Sequence, residues 1–383
     1  MRVAVISCFT DKSNHSRGNF MYEYFKKRDS DCFMIYSEFQ HISKKIVRED
    51  DANWISIRTL AYSKNVSAQR LLSHIIFAIK AAKTLKTLKP DLVYMAVPPN
   101  SVTLFAMKVA RKMKCKIIID IVDLWPESFP ASPKIKSLLW PVLKIWRKFR
   151  DDRLIYADAL MFECGLYKDY LERETIVHKN PHVIHLAKEG KNNPNPDFLS
   201  CHNATLNLCY LGSINLLMDI DLVVKVLKEV SQQRELMLHI IGVGDKKGYF
   251  LAELSKAKID FIDYGAIYDE VEKNKIMSFC DFGINLYRDN TMIGLTYKSI
   301  DYFAAGLPLI NSIRSDTWHF VENDGVGINC NKDTYQSTVT ELVNIKVQEI
   351  SDMKKKAYAC YLDNFESSVV KKKLDKVMDT LEL

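Results

Sequence analysis

A chain of 383 residues is too long for one ordinary core, and its 48% hydrophobic and 26% charged residues are those of a folded protein, so two domains are expected. No apolar run reaches the ~18 to 20 residues of a membrane span, and nine Cys without a CxxC pair favour buried thiols in a reducing cytoplasm over disulfides or zinc. The net charge is +7, and residues 133–150, PKIKSLLWPVLKIWRKFR, gather Lys and Arg with no acid, which suits an anionic partner, either lipid or nucleic acid.

In chain order, MRVAVISCFTDK reads as a first strand rather than a signal peptide, because its apolar run is short. Helix GNFMYEYFKKR and strand DCFMIY follow, then helix AQRLLSHIIFAIKAAKTLK and strand DLVYMAV. KIIIDIV (116–122) and DALMF (158–162) are further strands. Near-continuous Val/Ile runs mean strands covered on both faces, and their alternation with helices predicts βαβ units in a parallel sheet. Where KIIIDIV ends, the chain emits Asp123, Leu124, Trp125, Pro126, Glu127 and Ser128. Two carboxylates and an indole at a strand end either cap a turn around Pro126 or belong to a site.

Within 133–150, Ile135, Leu138, Leu139, Val142, Trp146 and Phe149 recur at helical spacing, with Lys136, Lys144, Arg147, Lys148 and Arg150 mostly off that stripe. Trp140 and Trp146 suit a membrane interface, so this segment is expected to dock on anionic lipid. A crossover helix packed on its own sheet explains the same stripe. Pro141 starts or breaks the helix. No nucleic-acid motif accompanies the basic run.

Residues 178–207, with three Pro and six Asn, break the rhythm and read as a connection. The alternation then restarts with LNLCYLG, LMLHIIG, IDFIDYG, FGINLY and LPLINS, and VVKKKLDKVMDTLEL reads as a last helix. Ten of the thirteen Gly lie between 212 and 327, so the second half is the better holder of a phosphate-bearing ligand at its strand ends. Gly212, Ser213 and Asn215 end a strand ahead of a helix, where backbone N–H groups either cradle a phosphate or Ser and Asn simply cap. Gly242 and Gly244 lack the third Gly of a dinucleotide fingerprint, since Lys247 stands there, and read as a tight turn that flanks a ligand. Asp219 and Asp221 open a helix rather than bind metal, and Asp281-Phe282-Gly283 has no kinase loops around it. In GLTYKSIDYFAAGLPLINS, from Gly294 to Ser312, a turn with Thr296 leads into a short helix carrying Lys298 and Asp301. A Lys at that helix start meets a diphosphate and an Asp accepts from ribose hydroxyls, or the two form a surface ion pair.

That stretch resembles the acidic signature of GT-B glycosyltransferases of family 4. In the family, two acids eight apart precede a small-residue helix, a Gly, a residue, a Pro and an apolar strand. Asp301 stands for the second acid, and Ile293 occupies the place of the first. Thr296 to Tyr302 is similar to the P-x-K-x-x-E-Y form of one branch, which also carries a D-L-W-P-E-S segment matching Asp123 to Ser128. LNLCYLGSI is similar to the first strand of the family's donor domain. Ser213 and Met218 stand where most members have an Arg and a Lys.

The resemblance implies a GT-B fold, two Rossmann-like domains facing a central cleft. The expected division is an acceptor domain over 1–185, a linker over 186–204, a donor domain over 205–365 and a C-terminal helix over 366–383. It implies transfer of a hexose from a nucleotide sugar, a UDP-sugar foremost, to a lipid-linked or growing capsule or lipopolysaccharide glycan with retention. Gly212, Ser213, Asn215, Gly242, Gly244, Gly294, Thr296, Lys298 and Asp301 would hold the donor, and Asp123 and Glu127 would serve the chemistry, without metal or cofactor. Trp140, Lys144, Trp146, Arg147, Lys148 and Arg150 would touch the inner face of the plasma membrane. The alternatives are a catalytically silent GT-B module supporting a partner transferase, which Ser213, Met218 and Ile293 favour, and a GT-B-like nucleotide-sugar epimerase.

Overall fold

The structure, a computed structural model, describes residues 1–12, 16–28, 31–65, 67–128, 137–190 and 205–381. From residue 191 onward the expected linker lies outside the described residues, as do Lys134, Ile135 and Lys136 of the basic segment. The chain divides into two compact units, Met1–Ala187 with Lys371–Leu383, and Lys188–Val370.

The first unit holds β1 (Arg2–Ile6), β2 (Asp31–Ser37), β3 (Trp54–Ile57), β4 (Leu92–Val97), β5 (Lys116–Ile121), β6 (Ala159–Phe162) and β7 (Pro181–Val183). They form one parallel sheet in the order β3-β2-β1-β4-β5-β6-β7. β4, LVYMAV, is buried along its whole length, as a strand covered on both faces must be. The helices are α1 (Arg17–Lys26), α2 (Ala68–Leu88), α3 (Ser101–Lys112), α4 (Trp140–Leu154) and α5 (Gly165–Glu174). Ser67 caps α2 by accepting from the Arg70 amide, and Lys89 closes it in the left-handed region.

The second unit repeats the plan with β8 (Leu206–Leu211), β9 (Leu236–Ile241), β10 (Asp260–Gly265), β11 (Phe282–Asn285), β12 (Leu309–Asn311) and β13 (Gly327–Asn329), in the order β10-β9-β8-β11-β12-β13. Its helices are α6 (Ile220–Ser231), α7 (Lys247–Lys256), α8 (Glu270–Ser278), α9 (Tyr297–Ala304), α10 (Asp316–Asp324), α11 (Tyr335–Asn344) and α12 (Val347–Asn364). Helix α13 (Ser367–Asp379) spans the division. It buries Val370, Leu374, Val377 and Met378, and its Asp375 accepts from Tyr24 of α1 and from Arg28 just beyond it.

In each sheet the strand order reverses beside the first strand, between β1 and β4 and between β8 and β11. Open α/β sheets bind ligands outside the carboxyl ends of their strands at that reversal. The loops after β1 and β8 are therefore the places to look.

Candidate functional site

In the second unit, Gly212 follows β8 with φ +113°, a conformation that favours Gly. A Cβ on Gly242 would stand 2.1 Å from the Gly212 carbonyl oxygen, and one on Gly244 would stand 2.0 Å from that of Ile214. These two glycines let the loop after β9 pack on the loop after β8. The amides of Gly212 and Ile214 donate to Ile241 and Val243 at 2.8 and 2.9 Å. Helix α6 begins at Ile220, capped by Asp219, which accepts from Leu222, as the reading of Asp219 and Asp221 as helix openers expects, so Gly212–Asn215 precede the helix and are not its first residues. Two of the loop's N–H groups are engaged within the chain rather than turned to a phosphate. Asn215 accepts from the Leu217 amide and donates to the exposed Ser213 hydroxyl.

Thr296 caps α9 by accepting from Ser299, and the Gly294 carbonyl accepts from the Thr317 amide and hydroxyl. This fixes the entry to α9 and sets Lys298 inward. Its ammonium lies 4.8 Å from the Tyr210 ring and 4.5 Å from the Tyr287 ring. Its Cδ lies 3.7 Å from the place of a Cβ on Gly212. Burial pulls its pKa down to about 7 against an opposing contribution from Cys209. Among the described residues, no carboxylate lies within ion-pair distance of Lys298. Lys298 and Asp301 do not meet. Asp301 pairs instead with Lys188 and Lys273, and Glu270 joins both lysines. Asn285, Asn311 and Asn329 form a hydrogen-bonded ladder across three strand ends, and Asn285 also donates to the Ser299 hydroxyl of α9. The Asn285 side-chain oxygen is buried without a partner. Sequence reasoning missed Asn285, Tyr210 and Tyr287. The signal was a polar residue ending an otherwise apolar strand, FGIN.

In the first unit, Asp123 follows β5 and accepts from the Ser128 and Tyr167 hydroxyls. Burial raises its pKa against those bonds. Glu127 takes another part. Both its oxygens accept from Arg150, at 2.9 and 3.1 Å, and Arg147 pairs with it at 3.3 Å. It is the counter-ion of two arginines, one of them fully buried.

Helix α4 starts at Trp140 with Pro141 in its first turn, where Pro is tolerated. The expected stripe is rotated. Leu143, Trp146, Arg150 and Leu154 face inward. Trp146 and Arg150 are thus corrected as membrane-facing residues, because the core and Glu127 hold them, and Arg147 is held by Glu127 and Asp151. Leu138, Trp140, Val142 and Ile145 are exposed, Leu138 by 81%. Lys144 and Lys148 are exposed beside them. Among the described residues, no helix is long and apolar enough to cross a membrane.

This architecture, two parallel-sheet Rossmann-like domains, is the GT-B fold. Solved structures match it over nearly the whole chain. A sucrose-phosphate synthase from Thermosynechococcus elongatus has a TM-score of 0.77 at 13% identity, over 99% of this chain and 98% of that one. The lipopolysaccharide outer core galactosyltransferase WaaB in its apo form has 0.67 at 15% identity over 100% of both chains. Anabaena HepE in complex with UDP and glucose has 0.69 at 10%, over 99% and 100%. No family model and no curated protein sequence matches the chain.

Proposed function

We propose that the chain is a retaining glycosyltransferase that moves a hexose from a nucleotide sugar, a UDP-sugar foremost, to a lipid-linked or growing surface glycan. Lys298 carries this reading. A buried ammonium without a carboxylate partner, under a Gly turn at the strand reversal of a Rossmann-like sheet, suits a diphosphate. The Anabaena neighbour's complex with UDP and glucose supports a UDP-sugar donor.

When the bond from the anomeric carbon to the diphosphate breaks, the electron pair leaves with the diphosphate, and Lys298 stabilises that charge. The acceptor hydroxyl oxygen bonds to the anomeric carbon, and its proton passes to the Asp123 carboxylate, which accepts the hydrogen bond from that hydroxyl. Asp301 takes the ribose hydroxyls, sharing its carboxylate with Lys188 and Lys273. Glu127 has no part in this scheme. Asp219 caps α6 and Asp221 lies in its first turn, and the reaction in this reading needs no metal and survives EDTA. The exposed face of α4, with Trp140, Lys144 and Lys148, meets anionic lipid on the cytoplasmic side.

The test is a thermal-stability screen of the purified chain against UDP-, GDP- and CMP-sugars. A donor at 100 times its Kd adds about 2.7 kcal/mol. Stabilisation by one class, lost in Lys298→Ala, supports the reading, and no response to any donor overturns it. The silent-module reading keeps one observation in its favour. Met218 is buried at the place of the family's usual Lys, so no cation reaches the donor from there. That reading predicts no turnover in the parent protein.

A further inference from the structure

Arg70 lies in the first turn of α2, after the edge strand β3, and is 4% exposed. Its guanidinium stands 4.5 Å from the Trp125 ring, with the rings of Phe9 and Tyr62 at 5.6 and 5.7 Å. One Nη donates to the Asn65 carbonyl at 2.7 Å, and the Nε is buried without a partner. The same unit shows how buried arginines are ordinarily compensated. Arg17 pairs with Asp120 at 2.8 Å, and Arg150 with Glu127 at 2.9 Å. Among the described residues, Arg70 has no carboxylate within ion-pair distance. Asp123 reaches it only as a field.

One turn further on, His74 is 3% exposed, and both its ring nitrogens lack a partner. It stacks on Trp125 at 6.0 Å and 25°. Burial and Arg70 hold its pKa down to about 3 and that of His41 to about 4, so both imidazoles are neutral. Lys44 adds a further cation 4.6 Å from the Tyr62 ring. Phe9 and Asp123 are partly exposed. Buried polar groups are almost always paired, and an uncompensated buried cation is costly. Both are explained if a ligand completes them.

We propose that Arg70 and His74 form an anion-recognition subsite for a phosphorylated sugar acceptor, at the strand-end face of the first unit next to Asp123. The proposal rests on the glycosyltransferase reading and names its acceptor class. Anionic oxygens accept from the Arg70 Nε–H. A neutral imidazole donates one hydrogen bond and accepts another, so His74 suits a phosphate oxygen together with a neighbouring hydroxyl. The phosphate comes from a soluble sugar phosphate or from a lipid diphosphate sugar.

The experiment is calorimetry on the full chain with glucose, glucose 6-phosphate and farnesyl-diphosphate-linked N-acetylglucosamine, in wild type, Arg70→Gln and His74→Gln. Phosphorylated probes should bind at least tenfold tighter than glucose, and Arg70→Gln should remove that preference while UDP affinity stays unchanged. Which of the two phosphorylated probes binds identifies the source. If Arg70→Gln does not fold, protection of Arg70 from phenylglyoxal by the bound probe in the wild type replaces it. Equal binding of glucose and phosphorylated probes, no binding of either, or a preference untouched by Arg70→Gln overturns the proposal. Arg70-dependent phosphate binding in a chain that binds no nucleotide would sink the transferase reading and leave this subsite standing. UDP binding without any phosphate preference would do the reverse.

Discussion

Lys298 ties stability to binding. In the folded, unliganded chain burial depresses its pKa to about 7. Between about pH 7 and the ordinary lysine range the unfolded chain therefore holds more protons, and stability rises with pH through that window. A bound diphosphate favours the ammonium. Nucleotide binding at pH 8 should take up close to one proton, and affinity should fall by up to about tenfold per pH unit above 7. Calorimetry in buffers of different ionisation enthalpy measures this, and an uptake unchanged in Lys298→Met would refute it. Replacing the ammonium with a thioether should also stabilise the unliganded chain, by about 1 kcal/mol or more, while removing nucleotide binding. Lys298 and Asp123 stood out as candidates in the sequence because a helix start after a Gly turn and a strand end are sequence patterns. Arg70 and His74 were not. Nothing local distinguishes them from polar positions of an amphipathic helix, and only the fold brings Trp125 and Phe9 over them.

At the scale of elements, α4 and the loop after β5 act together. Glu127→Gln removes one of the two carboxylates, Glu127 and Asp151, that Arg147 and Arg150 share, so it should cost part of the roughly 3 kcal/mol that breaking a buried pair outright costs. Denaturant unfolding should show that loss, with turnover per folded molecule little changed. Loss of turnover at unchanged stability would instead return Glu127 to the chemistry. On the exposed face, Trp140→Glu with Ile145→Glu should abolish sedimentation with phosphatidylglycerol vesicles at low salt. Binding that survives this pair of changes rules out α4 as the contact. The sequence marked Pro141 as a start or a break of the helix, which begins at Trp140, but not which face turns inward. Arg150 looks like a surface cation until Glu127, from another element, meets it. Strands β3, β7 and β13 escaped the reading for a related reason. They are WISI, PHV and GIN, three or four residues set among polar neighbours, whereas the equally short β6 and β12 sit in the apolar runs DALMF and LPLINS.

For the whole molecule, the fold was the most legible part, because buried Val/Ile runs alternating with helices leave few architectures. The destination of the last helix was not, since an amphipathic helix does not state which core it covers. Removing residues 371–383 should expose apolar surface of the first unit and lower its unfolding transition while leaving nucleotide binding to Lys298 intact. Two-transition calorimetry with and without UDP would show this, and a single unshifted transition would contradict it. The central claim is sugar transfer, and acceptor-dependent release of nucleoside diphosphate tests it most directly. The donor that stabilises the chain would be incubated with a lipid-diphosphate sugar, in wild type and in Asp123→Asn. The account predicts release that depends on acceptor, persists in EDTA, and falls about 100-fold in Asp123→Asn. Release at the same rate without acceptor, or no release by the wild type, would contradict it.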